Sequence, residues 1–289
     1  MTVTKKTVCG QARDDERAFY GTSDTRFTEC VIAGEADGES AFKECKNIDL
    51  SSCRLALRYP LWHVDGCNVY DSDFEETCRA PIWYCKNVHL NGSRIRGVKA
   101  LRECENVVFD KSSAVSTEFG WKTRGFTAYN SDIEGEYLFL DSSDISLDGV
   151  KIKGKYSFQY VKDAIIKNSV LDTKDAFWHS ENVTVYDSVV SGEYLGWYSK
   201  NLRLVRCKIR GTQPLCYAQG LVLEDCTMDG CDLSFEMSEV DASVIGDIES
   251  IKNPKFGRIA ASGVGTVISD AGRERKTLLS LDGGDEVYI

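Results

Sequence analysis

No stretch of this chain approaches the roughly 18 to 20 consecutive apolar residues that a membrane-spanning helix needs. Met1 to Gly10 likewise carries no apolar run of the kind that opens a secretory leader. These two absences set the expectation of a cytoplasmic protein without a membrane partner. Lys and Arg number 35 against 45 Asp and Glu, a formal charge of −10, and no basic block interrupts the sequence. Phosphate binding needs clustered cations, so a nucleic-acid partner is excluded and anionic membranes are disfavoured. The chain also lacks GxSxG, a phosphate-binding glycine loop, HExxH and the dinucleotide fingerprint. No cofactor and no metal are expected. A helical 3.6-residue pattern is missing throughout.

CxxC pairs are absent as well, although there are twelve cysteines. Cys30, Cys53, Cys207 and Cys226 share one column of small residues, Cys45, Cys85 and Cys104 share another, and Cys67 replaces an apolar residue. Cysteine there acts as a small hydrophobe, so reduced, packed thiols are expected, with Cys78, Cys216 and Cys231 the most exposed.

What is present is a period. All five tryptophans, Trp62, Trp83, Trp121, Trp178 and Trp197, stand four residues before an Asn, Asp or Gly that opens an apolar-x-apolar run. These anchors are Asp24, Asn47, Gly66, Asn87, Asn106, Gly125, Asp144, Asp163, Asn182, Asn201, Gly220, Glu239 and Arg258, and from Asn87 onward every step is 19 residues. A fixed period of this length marks a solenoid.

One and three residues after the anchor the side chains are apolar, as at Val88 and Leu90 or Val183 and Val185, with polar residues between. That is strand alternation. A second apolar column at plus eight includes Ile95, Ile152 and Ile209, after a small residue at plus six; Gly recurs at plus ten. A third run ends before the next anchor with Phe139, Phe158, Phe177 or Leu215 at its centre.

Three strands and three turns per repeat describe an all-β fold, a single-stranded right-handed parallel β-helix with three sheets and about 19 residues per rung. The anchor column suits αL geometry, which Asn, Asp and Gly tolerate, and Asn amides can bond one another along a stack. A left-handed β-helix would need six-residue sub-repeats, and a leucine-rich repeat a single strand per unit; neither matches. The expected organisation is an N-terminal cap at 1–23, the β-helix at 24–268 and a C-terminal cap or tail at 269–289.

Beside the tryptophan column, three before the anchor, stand His63, Tyr84, Glu103, Lys122, Asp141, Tyr160, His179, Tyr198, Tyr217 and Glu236. Aromatic rings flanked by polar groups suit sugars, whose C–H surface stacks on a ring face while hydroxyls bond its edges. Trp62, His63, Trp83, Tyr84, Trp121, Trp178, Trp197 and Tyr198 are therefore the candidate substrate-binding residues. Two constellations could carry catalysis. Glu103 and Asp141 lie two rungs apart in one column, a spacing a glycosidase permits. Asp175, His179 and Glu193, with Lys174 and Tyr198, span adjacent rungs and offer an acid or base for hydrolysis or β-elimination. The run Asp71, Asp73, Glu75 and Glu76 has cation-site composition but no spacing that shows convergence.

The strings Tyr59-Pro60-Leu61-Trp62-His63, Ala80-Pro81-Ile82-Trp83-Tyr84 and Gly192-Glu193-Tyr194-Leu195-Gly196-Trp197, with Glu181-Asn182-Val183-Thr184-Val185-Tyr186, resemble the family known as domain of unknown function 3737. That family is grouped with pectin-lyase-like β-helices, so the resemblance implies a right-handed parallel β-helix over nearly the whole chain. It assigns no activity and no catalytic residues.

The function expected from this reading is binding, extending to modification, of an oligosaccharide or polysaccharide along the aromatic face. The alternative is a non-catalytic scaffold whose aromatic side docks a protein or a second copy as a homodimer. An enzyme, if it is one, would be a polysaccharide lyase or glycoside hydrolase.

Overall fold

The computed structural model describes residues 4–284 and 286–289. The first three residues of the expected N-terminal cap, and Asp285 of the expected tail, lie outside the described residues. The chain forms two compact units, 1–146 and 147–289. Both are runs of parallel β-solenoid turns. Among the described residues there is no α-helix, only a single 3₁₀ turn at Glu76–Cys78, and so no helix long and apolar enough to cross a membrane.

In the first unit one sheet stacks Lys46–Ser51, Asp65–Tyr70, Lys86–Asn91, Glu105–Asp110 and Arg124–Tyr129 in parallel. A second sheet stacks Arg54–Leu55, Asp73–Phe74, Arg94–Arg96, Ser113–Val115 and Asp132–Gly135. The second unit repeats the scheme with Lys162–Lys167, Glu181–Tyr186, Lys200–Val205 and Leu221–Asp229, and with Lys151–Lys155, Val170–Lys174, Val189–Ser191 and Lys208–Arg210. The apolar columns face inward: Val88, Leu90, Ile95, Val183, Val185 and Ile209 are all buried. Burying each contributes about 1.5–3 kcal/mol, the main favourable term for a fold without helices.

Parallel pairing runs on both sides of the 24–268 span. Lys6–Cys9 pairs with Ser23–Thr28, and Ala12–Arg13 with Val31–Ile32. At the other end Thr277–Leu281 pairs with Phe256–Ala261.

The anchors adopt the geometry their chemistry calls for. Asn87, Asn106, Asp163, Asn182 and Asn201 have φ of 53–58°, with Gly125 at 71° and Gly220 at 63°. Their amides form ladders: Asn182 Nδ2 donates to Asp163 Oδ1 at 3.0 Å, and Asn201 Nδ2 to Asn182 Oδ1 at 3.0 Å. Each ladder stops at glycine, which has no amide to extend it; a Cβ on Gly220 would lie 2.8 Å from Asn201 Oδ1, and one on Gly125 2.9 Å from Asn106 Oδ1. The serine column closes the corner between sheets, where Ser112 Oγ accepts from Ser93 N at 3.0 Å and Ser188 Oγ from Ser169 N at 3.0 Å.

The repeat departs from expectation in three places. The last anchor is displaced: Glu239 pairs with Phe256, not Arg258, because the register shifts where Leu223 faces Ala242 but Cys226 faces Val244, and at the Ser234–Ile251 bridge the rung is already two residues short. The third run is not a regular strand. In the first unit it pairs as Leu61–Trp62 with Ile82–Trp83 and Glu118–Phe119 with Tyr137–Leu138, with single bridges from Arg102 to Trp83 and to Trp121. In the second it alternates left-handed residues, with Asp175, Phe177 and His179 at φ 55, 62 and 53°. Inter-rung hydrogen bonds hold that strained backbone, for example Phe177 N to Ser157 O at 2.9 Å and His179 N to Trp197 O at 3.0 Å. Finally, Cys78, Cys216 and Cys231 are buried and Cys9 is the exposed thiol. The first three fill the small-residue space beneath turns, which their spacing alone does not show.

Candidate functional site

The third run of the second unit presents two aromatic columns. The outer one is Tyr160, His179, Tyr198 and Tyr217. Its rings stack at centroid distances of 5.0 Å with interplanar angles of 3°, 8° and 14°. The spacing is that of the rungs, because each ring rides on a main-chain N–H tied to the next turn: Tyr160 N to Trp178 O at 2.9 Å, Tyr217 N to Glu236 O at 2.7 Å. Tyr160 is 50% and Tyr198 43% exposed. Among the described residues no protein group engages the hydroxyls of Tyr160, Tyr198 or Tyr217. Burial, then the nearby Glu236 carboxylate, pushes the Tyr217 phenol up. Glu236 itself pairs with Lys252 at 2.9 Å.

Behind this row Trp178 and Trp197 stack at 5.5 Å and 5°. Both are half-buried. Their N–H groups point into the protein, to Tyr194 O at 2.7 Å and Gln213 O at 2.8 Å. Tyr194 and Tyr217 close the other side of Trp197 edge-on at 5.3 Å each.

The first unit uses the same phases differently. Trp62 and Trp83 stack at 6.0 Å, and His63 and Tyr84 at 5.0 Å. Lys43 caps Trp62 at 4.6 Å, and Arg102 covers Trp121 at 4.9 Å. Trp121 donates to Tyr137 O at 2.8 Å, whereas the buried N–H groups of Trp62 and Trp83 find no partner among the described residues. Tyr59 lies about equally close to both indoles, at 6.1 and 6.0 Å.

The tryptophans therefore present faces to one another, to other rings or to cations, and their donors to the interior. Trp197 is the most enclosed of them, with Trp178 on one face and Tyr194 and Tyr217 edge-on. All five indoles are half-buried, whereas Tyr160, His179 and Tyr198 of the outer column are exposed.

The catalytic candidates are near in sequence but are not drawn to one point. Asp175 is buried, and that burial raises its carboxyl above the usual range, with Lys174 opposing and Glu193 adding to the effect. Glu193 is committed to Lys174 in an exposed ion pair at 2.5 Å. His179 is held between two tyrosine rings, and no described hydrogen bond or ion pair joins it to either carboxylate. In the first unit Lys122 stands one rung from both Glu103 and Asp141, and Glu103 lies 3.6 Å from Arg102. Two members of the acidic run near Asp71 are taken up by arginines, Asp73 by Arg94 and Arg96 at 3.2 and 2.8 Å and Glu75 by Arg54 at 2.7 Å. Among the described residues no three metal-ligating side chains converge.

The in-register columns run through almost the same residues as a family model described as a protein of unknown function, DUF3737, which matches residues 6–281. The chain belongs to the DUF3737 family. For this DUF3737 protein no curated protein matches by sequence. Among solved structures it is similar to PfbA, a surface adhesin of Streptococcus pneumoniae, at 11% identity over 98% of this chain and 85% of that one, with a TM-score of 0.35. It is also similar to the A-module of the Azotobacter vinelandii mannuronan C-5 epimerase AlgE4, at 11% identity over 96% and 91%, TM-score 0.30. A third is tailspike protein 3 of bacteriophage CBA120, at 10% identity over 99% and 53%, TM-score 0.23. Likenesses this weak carry no ligand or reaction to the DUF3737 chain.

Tyr160 and Tyr217 complete the outer row, although the stronger sequence signal drew attention to the indoles. Their shared phase with His179 and Tyr198 was the available clue.

Proposed function

We propose that the protein binds a linear oligosaccharide or polysaccharide along the outer aromatic column of its second unit, without turning it over. The observation that carries this reading is the row Tyr160, His179, Tyr198 and Tyr217, fixed at 5.0 Å intervals with phenol hydroxyls that no protein group engages among the described residues. A sugar chain offers a hydroxyl-rich edge, and phenols and imidazole both donate and accept hydrogen bonds. A repeated row of such groups on a rigid frame is preorganised, which reduces the ordering cost of binding. Recognition is thus through ring edges rather than ring faces. Binding without turnover is supported by Asp175 being buried, Glu193 being paired, and His179 lying in the stack away from both.

The test is retention of the chain on an array of linear neutral and acidic glycans, beside Tyr160→Phe/Tyr198→Phe/Tyr217→Phe. That variant keeps the stacked rings and removes only the hydroxyls, at about 0.5–1.5 kcal/mol for each hydrogen bond lost. Retention by the parent chain and loss in the triple variant are expected. An array on which the parent is not retained, or on which both bind alike, refutes the reading.

A further inference from the structure

The second unit ends one of its sheets in an open strand. Gly263–Ile268 pairs in parallel with Asp247–Lys252, from Asp247 opposite Gly263 to Lys252 opposite Ile268, and the two form a sheet of their own. Among the described residues the far edge of Gly263–Ile268 meets no strand. The neighbouring sheet is finished differently: Thr277–Leu281 extends it, and Glu286–Tyr288 folds back antiparallel upon that strand. Proteins normally blunt a free edge with charge, proline or a bulge, since its unpaired N–H and C=O groups template another strand. The segment Gly-Val-Gly-Thr-Val-Ile has no charge and no proline, and Val267 is 39% exposed.

The surface beside this edge is acidic. Asp247 and Glu249 are exposed, two residues apart on one strand, and among the described residues neither takes part in an ion pair. Across from them the edge strand carries glycines. A Cβ on Gly263 would lie 2.7 Å from Asp247 Oδ1, and one on Gly265 2.7 Å from Glu249 O. With no side chain in the way, a groove of about 650 Å³ lies over Gly263, Gly265, Asp247, Glu249 and Asp229. Asp229 faces Arg210 at 3.5 Å; the other two carboxylates have no such neutralising partner.

We propose that this edge receives an extended segment of a partner protein, added as a further strand and carrying Lys or Arg at alternate positions. Side chains on one face of a strand recur every second residue, which is also the spacing of Asp247 and Glu249. Cations at that spacing lie on the acidic face, and their long stems pass over the two glycines to the carboxylates. Backbone pairing supplies affinity and the alternate pockets supply selection, as in other strand-addition complexes. A second copy of this chain fits less well, because its own matching edge strand holds no cation.

The probe is the dye-labelled peptide Thr-Lys-Val-Lys-Val-Lys-Thr, titrated against the full chain by fluorescence anisotropy. Its control is Lys-Val-Thr-Lys-Thr-Val-Lys, of equal charge and composition but with no two lysines two residues apart. The alternating peptide should bind about tenfold more tightly than the control. Asp247→Asn/Glu249→Gln should weaken it about tenfold, and Val267→Lys, which charges the edge itself, should do the same while circular dichroism shows the fold intact. Equal binding of the two peptides, or undiminished binding to the double variant, overturns the assignment. So does a chain that sediments as a dimer without peptide and becomes monomeric on Val267→Lys, since the edge then belongs to a second copy.

Discussion

Single side chains in this protein are governed by whether they lie inside or outside a turn. Cys45 and Cys216 face inward, and burial pushes their thiols up to about 11 and about 12. Every cysteine except Cys9 is buried. A thiol reagent at pH 8 should therefore react with one equivalent in the native chain and with twelve in denaturant. Rapid native reaction of several thiols would contradict this packing. Asp175 shows the same principle with opposite consequence for stability. Its carboxyl is raised in the folded state, from an ordinary value of 3.8, so folding favours the protonated form. The penalty is absent below about pH 3.8, grows as pH rises, and is complete above the folded value. Asp175→Asn should accordingly raise the melting temperature at pH 7 and lose that advantage at pH 3. A gain that persisted unchanged in acid would mean that charge burial is not its source. Asp49 runs the other way: burial opposes its ionisation, but Asn68, Lys5 and Arg26 outweigh it and hold the carboxyl low, so its contribution is lost as pH falls.

At the scale of the repeat, much was legible in the sequence because the determining features are local and periodic. Apolar alternation located two strands per rung, and Asn, Asp or Gly located the left-handed anchor. The third run was not legible in the same way. Phe139, Phe158 and Phe177 stand at φ of 60–62°, a conformation that side chains of this kind do not signal and that inter-rung hydrogen bonds enforce. The stacking of the indoles was equally hidden: equal phase says that two rings are neighbours, not which way their planes turn. The end of each amide ladder gives a test at this scale. Gly220→Ala places a Cβ at a left-handed position and against Asn201 Oδ1, and should cost about 1–2 kcal/mol in urea unfolding. Gly220→Asn should cost less, because its amide can donate to that same oxygen as Asn201 does to Asn182. Equal costs would show that the ladder adds nothing.

For the chain as a whole, stability in such an architecture is close to a sum of turns and nearest-neighbour interfaces. A free edge at Gly263–Ile268 and a solvent-facing aromatic row follow from that stacking, since both are what remains after each turn has satisfied its neighbour. The position of the edge was not visible beforehand because the period shortens near Glu239, so phase no longer marks the rung. The central claim is that side chains 19 residues apart touch ring to ring within a unit. A double-mutant cycle in reversible urea unfolding tests it, with Trp178→Ala and Trp197→Ala as one pair and Tyr160→Ala and Tyr217→Ala, three turns apart, as the other. The stacked indoles should couple by about 0.5–1.5 kcal/mol while the distant tyrosines add within about 0.5 kcal/mol. Strict additivity of Trp178 and Trp197 would contradict the account.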